Sequence, residues 1–494
     1  MIVVKAMTQK RQEAKARKLV ARARRDPVWF VREALNAEPW SGQVEILESV
    51  RDNPRTAVRS CHGVGKSFTA GQVILWFVYS FPSIVLSTAP TWRQVEKLVW
   101  KEVRASYARA KIPLGGTLLP ASPELHVVRD QWYAAGLSTN DPDRFQGYHE
   151  KYILVVVDEA AGVPEPIHEA IEGVLTSEHA RLLLLGNPTA IGGTFHRAFT
   201  TPGWNTIHIS AFDTPNFTAF GITEQDIADG SWEKKIAGPL PNPKLITPAW
   251  VADKYRSWGP DSPAYQARVL GDFPASGDDT LIPLAWIEAA MERWEDTPEG
   301  EPVEIGVDVA RFGSDKTVFA VRRGRKVMSL IEYSKQDTME TAGQLVIAQR
   351  EMKASSIKID VIGLGAGVYD RTKELKLPVV PINVAEAPQE PDRFLNLRSE
   401  LWWNMRELLD PNPAVNPNPI TLPPDDELLA DLSSVKYRID SRGRIVVESK
   451  EDMKKRLGRS PDRADAVILA FAPVTTVTHD PAALALLRGL KVHG

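Results

Sequence analysis

The sequence predicts an α/β protein, with a mainly parallel sheet and a small lid subdomain in its N-terminal part and a mixed sheet in its C-terminal part. Three observations predict it. At 494 residues, and with about 150 residues per domain, the chain holds two to three domains. From Arg55 onward, short apolar runs alternate with helical segments, as in a parallel sheet covered by helices on both faces. From Val303 a second alternation opens with three adjacent strands, then a helix and a further strand, the order of a mixed sheet. Hydrophobic residues make up 43% and charged residues 25%, with a mean hydropathy of −0.23, which excludes a disordered polymer and a polytopic membrane protein.

Residues 1–34 form a basic arm. Thr8 to Arg25 is rich in Ala, Lys, Arg and Gln and lacks Gly and Pro, so it reads as a helix ended by Asp26-Pro27. Residues 1–30 hold nine Lys or Arg against Glu13 and Asp26, a charge of +7, whereas the whole chain carries −3. The other 464 residues therefore carry −10. A solvated helix and a DNA or protein contact fit this arm equally. The basic start has no apolar core, so no signal peptide is expected. The longest apolar run, Val73 to Leu86, is broken by Ser80, Pro82 and Ser83 and is too short for a bilayer of about 30 Å. The single cysteine, Cys61, excludes an internal disulfide framework and suits a reducing cytoplasm.

Residues 35–205 hold the first alternation. Strands are expected at Thr56 to Val58, Ile84 to Ser87, Ile153 to Val157 and Leu182 to Leu185, and helices from Lys66 and from Trp92 to Arg109. Residues 206–274 are irregular, with scattered Trp, Pro and Asp, and read as the smaller helical lid. Residues 275–302 read as an interdomain connection. Residues 303–475 form the second domain, with strands at Val303 to Val309, Val318 to Val321 and Val327 to Tyr333, a helix from Thr338 and a strand ending at Asp360. Pro411 to Pro424 has six prolines in fourteen residues and must be loop. Residues 476–494 form a tail, and no internal repeat is visible.

Arg59 to Ser67 reads RSCHGVGKS between a short strand and a helix, the setting of a phosphate-binding loop. Gly63 and Gly65 let the backbone turn its N–H groups toward phosphate oxygens, Lys66 supplies charge for the β- and γ-phosphates, and the Ser67 hydroxyl suits Mg²⁺. Ser60 stands where the first glycine of the pattern is expected, so a strained local turn is anticipated. Tyr152 to Glu159 reads YILVVVDE, a buried strand ending in Asp158, which could hold Mg²⁺ through water, and Glu159, which could orient or deprotonate the attacking water. Asn187, in LLLLGNPT, either senses the γ-phosphate or belongs to a plain strand-to-loop turn. Gln43 and Trp40 could hold an adenine ring or could mark a helix start capped by Ser41. Arg144, in DPDRFQG, is a candidate arginine finger.

Val303 to Lys316 reads VEIGVDVARFGSDK, with Asp308 inside an apolar strand and then a turn with Gly313 and Asp315. A charge in such a strand needs a partner or a metal. Asp360 ends a strand before a Gly-rich turn. In SPDRADAVILAF, Pro461 opens a helix on which Asp462 and Asp465 share a face while Val467, Ile468 and Phe471 pack beneath. Hard carboxylate oxygens of this kind suit Mg²⁺ or Mn²⁺, and two such ions about 3.5–4 Å apart would serve phosphodiester cleavage. Val435 to Val447 reads as a β-hairpin with basic residues at its tip, followed by Lys450, Lys454, Lys455, Arg456 and Arg459. Phosphate-backbone binding needs such a surface, and a merely solvated hairpin would look the same.

Over about residues 35–475 the chain resembles the large terminase subunits of tailed double-stranded DNA bacteriophages. RSCHGVGKS, VVVDEAAG, LLLGNPT, YQARVLGDFP, GVDVARFGSDKT, IDVIGLGAGVYD and SPDRADAVILAF carry the resemblance, in that order. It implies an N-terminal P-loop ATPase that moves double-stranded DNA into a procapsid, and a C-terminal RNase H-like nuclease that cuts concatemeric genomes at initiation and termination. It further implies that Lys66, Ser67, Asp158 and Glu159 carry the ATPase with ATP and Mg²⁺. Asp308, Asp360 and Asp465, supported by Asp462, would hold two Mg²⁺ or Mn²⁺. The implied partners are a portal protein on the procapsid, a small terminase subunit and further copies of the chain in a ring, and the implied location is the host cytoplasm. An ATP-dependent DNA repair or recombination nuclease without a capsid partner, and a binding protein with vestigial sites, are the alternatives from other classes.

Overall fold

The structure, a computed structural model, describes residues 16–128, 131–139, 142–274, 279–310, 316–334 and 336–473. The beginning of the basic arm, the turn at Gly313 and Asp315, and the tail from 476 lie outside the described residues. The chain divides into two compact units, Met1–Ala289 with Leu432–Ser434, and Ala290–Asp431 with Val435–Gly494. No helix among the described residues is long and apolar enough to cross a membrane.

The first unit is built on an eight-stranded sheet. Its strands are β1 (Arg55–Ser60), β2 (Ile84–Thr88), β3 (Thr117–Leu118), β4 (Glu124–Val128), β5 (Trp132–Gly136), β6 (Tyr152–Val157), β7 (His179–Gly186) and β8 (Asn205–Ile209). Their spatial order is β3-β4-β5-β2-β6-β7-β1-β8. From β5 to β8 every neighbouring pair is parallel, while β3, β4 and β5 pair antiparallel. Strand β2 is buried along its whole length and β6 at every residue but Tyr152, as all-apolar runs such as Ile153 to Val157 require. Strands β3, β4 and β5 are short and mixed in polarity, with no sequence signal. Strand β8 carries the sheet across the 205/206 boundary expected for the lid, because Ile207 and Ile209 are buried against β1.

Helix α1 (Ser41–Asp52) precedes β1, and α2 (Lys66–Ser80) follows the phosphate loop. Buried on nearly every face, α2 is continuously apolar from Val73 to Val78 rather than striped. The stretch from Trp92 to Ala108 is helical as expected, with a π-helical turn at Val95–Val99. Residues 16–25 are helical, and Asp26 caps the short helix Pro27–Trp29 that follows.

The second unit contains a five-stranded sheet in the order β11-β10-β9-β12-β13. Its members are β9 (Val303–Asp308), β10 (Thr317–Arg323), β11 (Lys326–Tyr333), β12 (Ser356–Asp360) and β13 (Val379–Ile382). Strands β9, β10 and β11 are antiparallel, and β12 and β13 run parallel to β9, so the sheet is mixed. The helices used below are α3 (Thr338–Met352), α4 (Leu364–Glu374), α5 (Leu397–Leu409), α6 (Lys450–Leu457) and α7 (Asp462–Phe471). A hairpin, β14 (Tyr437–Ile439) and β15 (Ile445–Val447), lies between α5 and α6 in sequence.

The two faces of β9 differ by the period-two alternation of a strand. Ile305 and Val307 join a core with Phe319, Ile357 and Ile359 and with Ala342 and Leu345 of α3. Glu304, Gly306 and Asp308 alternate with them, and Gly306 lies directly against α7.

Candidate nucleotide and carboxylate sites

In the first unit, β1 ends at Ser60 and the chain turns through Gly63 and Gly65, both in the left-handed region at φ 66° and 84°, where glycine meets no steric penalty. Ser60 has no such φ. It is the buried last residue of an extended strand, so a glycine is unnecessary there and the anticipated strain is absent. Three segments from beyond Gly203 hold the loop by backbone hydrogen bonds. Cys61 N donates to Ile209 O at 2.9 Å, His62 N to Arg268 O at 2.9 Å, and Ile246 N to Gly63 O at 2.9 Å. No local motif in the sequence marks these contacts, because main-chain groups make them.

Strands β1, β6 and β7 are parallel neighbours, so their C-terminal ends meet at one edge of the sheet. Lys66 is buried, and its Nζ donates to Asn187 Oδ1 at 2.9 Å and lies 3.4 Å from Glu159 Oε1. Asn187 Nδ2 in turn donates to Ser60 O at 2.6 Å. Ser67 Oγ donates to Asp158 Oδ2 at 2.6 Å, while Asp158 Oδ1 is buried without a hydrogen-bond partner. Burial and the neighbouring Glu159 push the Asp158 carboxyl up to about 6, against the bond from Ser67 and the charge of Lys66. Glu159 adopts φ 48°, a left-handed backbone that costs a non-glycine residue about 1–3 kcal/mol. An orphaned carboxylate oxygen beside a hydroxyl is a hard donor set, which fits a magnesium ion.

Gln43 is buried in the first turn of α1. Its Oε1 accepts from Trp40 N at 3.3 Å and its Nε2 donates to Val64 O at 3.4 Å, and Trp40 Nε1 reaches the same carbonyl at 3.3 Å. Gln43, rather than Ser41, thus caps this helix start, and the pair supports the phosphate loop. Arg144 is exposed on the 3₁₀ turn Pro142–Phe145, anchored by buried Phe145. Lys66 contacts Asn187 and Glu159, Asp158 accepts from Ser67, and Arg144 takes no part in these contacts.

In the second unit, Asp308, Asp360 and Asp465 line one cavity of about 270 Å³ together with Lys450, Arg398 and Trp402. Strand β9 supplies Asp308, the neighbouring β12 supplies Asp360, and the first turn of α7 supplies Asp462 and Asp465. The Lys450 ammonium is 2.9 Å from Asp308 Oδ2, 3.1 Å from Asp462 Oδ1 and 3.4 Å from Asp465 Oδ2. Asp462 Oδ2 also accepts from Lys316 N at 2.9 Å. Asp465 Oδ1 accepts from Arg398 Nη1 at 3.0 Å. Asp360 Oδ1 accepts from Ile362 N at 3.0 Å in a local turn.

Burial pushes Asp308 up to about 7 against the pull of Lys450, and Asp465 and Asp462 add to the rise. Burial also raises Asp360. It opposes ionisation of Asp465 too, yet Arg398 and Lys450 hold that carboxyl below the usual range. Among the described residues no group of three or more His, Cys, Asp or Glu is already drawn together for a metal ion. Asp308, Asp462 and Asp465 are instead gathered around one ammonium, and hard oxygens converging on a cation form a donor set that fits Mg²⁺ or Mn²⁺.

Sequence reasoning places Lys450 with the basic residues after the hairpin and does not single out Arg398. Neither carries a local signal, because their partners lie on distant segments. Part of the expected basic surface is neutralised internally, Arg444 by Asp440 at 2.9 Å and Arg456 by Glu448 at 2.6 Å. Arg438 and Arg442 remain exposed on the hairpin.

No family model matches the chain. It is 27% identical over 482 residues to a protein of Enterobacteria phage P7 named "Probable terminase, large subunit", with 92% of each chain covered. Among solved structures, the nuclease domain of the large terminase subunit of bacterial virus Sf6 is 22% identical, covering 40% of this chain and 100% of that one at a TM-score of 0.36. The large terminase of a thermophilic bacteriophage in complex with ADP is 14% identical over 87% of this chain and 99% of that one, at 0.37. The large terminase of bacteriophage HK97 is 13% identical over 90% and 98%, also at 0.37. The resemblance drawn from the motifs is thus matched by similarity to a large terminase subunit along most of the chain.

Proposed function

We propose that this chain is the large subunit of a phage terminase, an ATPase and metal-dependent DNA endonuclease that packages a double-stranded genome. One observation carries the reading. The similarity to the phage P7 protein spans 92% of both chains, and so takes in both the Lys66 cluster and the Asp308 cluster.

At the first cluster, Lys66 would bind the γ-phosphate of ATP and Asn187 would report its presence to the Ser60 carbonyl. Glu159 would accept the proton of the attacking water. Ser67 and Asp158 would hold Mg²⁺, which when bound offsets the charge of the phosphate oxygens. Arg144 is assigned to the γ-phosphate of a neighbouring copy in a ring, a role its exposed position permits. At the second cluster, Asp308, Asp360 and Asp465, with Asp462 beside them, would hold two Mg²⁺ or Mn²⁺ ions, which when bound activate water for phosphodiester cleavage. Arg438 and Arg442 would meet backbone phosphates of the duplex. The proposed partners are double-stranded DNA, a portal-bearing procapsid and a small terminase subunit, in the host cytoplasm.

The test is a packaging assay with portal-bearing procapsids. ATP hydrolysis should rise when empty procapsids and DNA are added. Asp308→Ala should abolish cleavage while hydrolysis continues, and Lys66→Ala should abolish hydrolysis. Hydrolysis indifferent to procapsids, with cleavage intact, would point to a repair nuclease instead.

A further inference from the structure

Lys358 on β12 is a lysine with a side chain only 2% exposed, and no step proposed above uses it. Burying an ammonium costs several kcal/mol unless every proton finds a partner. Its Nζ donates to Glu304 Oε2 at 2.8 Å and to Ala470 O at 2.9 Å. Arg322 on β10 converges on the same two groups, with Nε donating to Ala470 O at 2.8 Å and Nη2 bonded to Glu304. Its guanidinium also lies over the Phe471 ring at 4.6 Å. Ala470 belongs to the last turn of α7, where carbonyls lack helical partners and the dipole favours cations. Two cations from two strands, with one carboxylate between them, therefore grip the C-terminal end of α7.

The opposite end of the same helix bears Asp462 and Asp465. Between the ends, a Cβ on Gly306 would stand 2.1 Å from Ala466 O and 2.2 Å from Ala470 N, so helix and strand touch there through bare backbone. Alternate residues of β9 thus meet α7 along its length, Glu304 at its C-terminal end, Gly306 in the middle and Asp308 at the end that carries Asp465. A slip of α7 by one residue would translate Asp465 by about 1.5 Å and turn it by about 100°. Metal–ligand distances tolerate only about 0.2 Å.

We propose that Lys358, Glu304 and Arg322 form a clamp that fixes the axial register of α7 and so positions Asp465 against Asp308; all three are positioning residues. The inference rests on the reading of Asp308, Asp360 and Asp465 as metal-holding residues. Lys358→Met keeps the side-chain volume and leaves Glu304 paired one-to-one with Arg322, so no unpaired buried charge remains.

The experiment is a calorimetric titration of the full chain with Mn²⁺ alone, alongside melting in chelator. Wild type should bind Mn²⁺ at a site that Asp465→Asn removes, and Lys358→Met should weaken that site about tenfold or more, the scale of outer-shell changes at metal centres. A Lys358→Met chain that melts lower in chelator yet binds Mn²⁺ like wild type overturns the clamp and makes the cluster merely structural. Should Lys358→Met not fold, Arg322→Met leaves Lys358 on both Glu304 and Ala470 and carries the same expectation. If Asp465→Asn binds Mn²⁺ like wild type, the metal assignment itself is wrong and the clamp's proposed role goes with it.

Discussion

Ser67 and Asp158, 91 positions apart in sequence, share a 2.6 Å hydrogen bond that occupies one carboxylate oxygen and leaves the other buried and unpartnered. Burial raises this carboxyl from its ordinary 3.8 to about 6. Between those values the folded chain holds a proton that the unfolded chain has released, so this group's contribution to stability falls as pH rises through the window. Asp158→Asn removes the charged form and should raise the melting temperature at pH 7 while abolishing hydrolysis. In wild type, the proposed Mg²⁺–ATP binding at Asp158 needs the ionised form and should weaken as pH falls through about 6. Calorimetric affinities from pH 5 to 8 check this, and a flat profile would refute the assignment.

Glu159, whose backbone takes a left-handed conformation just after β6, lies 3.4 Å from the Lys66 ammonium. Glu159→Gln keeps the shape and removes the proposed base. ATP hydrolysis should fall about 10²- to 10⁴-fold, the range for loss of a general base, with nucleotide affinity little changed. Filter binding beside steady-state turnover separates the two effects, and a parallel loss of affinity would make Glu159 a binding residue.

The fold was legible where the apolar pattern is continuous. Ile153 to Val157 is an unbroken apolar run and Val303 to Val309 alternates apolar residues with Glu304, Gly306 and Asp308, so both read as strands, and the parallel sheet then brings Asp158 beside the phosphate loop and Asp360 beside Asp308. Strands β3, β4 and β5 were not legible, because partly exposed residues such as Glu124, His126 and Tyr133 break the alternation. Asp308 was legible as a charge that an apolar strand cannot carry alone. Lys450 was not, since a lysine after a hairpin in a basic stretch is ordinarily solvated, and only the tertiary fold aims it at three aspartates. Lys358 was hidden for the same reason, its partners Glu304 and Ala470 lying 54 and 112 positions away.

Lys450 is the cation that gathers Asp308, Asp462 and Asp465. Lys450→Met leaves those carboxylates facing one another with Arg398 as the remaining counter-charge at Asp465. The variant should melt below wild type in chelator, because removing one partner strands buried charge. Added Mn²⁺ should recover more of the melting temperature in the variant than in wild type, since a divalent ion supplies the missing charge. Equal shifts in both proteins would show that Lys450 and the metal do not share these ligands.

Among the carboxyls that burial raises, Asp158 stands at about 6 and Asp308 at about 7. If Asp308 holds metal as proposed, protons and metal compete for it, so DNA cleavage should decline as pH falls through about 7, while ATP hydrolysis should persist until about 6. Because the competition is one of mass action, raising Mg²⁺ should move the cleavage midpoint to lower pH and leave its plateau unchanged. Paired pH profiles of nicking and phosphate release, each at two Mg²⁺ concentrations, check the argument. A cleavage midpoint that ignores Mg²⁺ would mean that the titrating group is not a metal ligand.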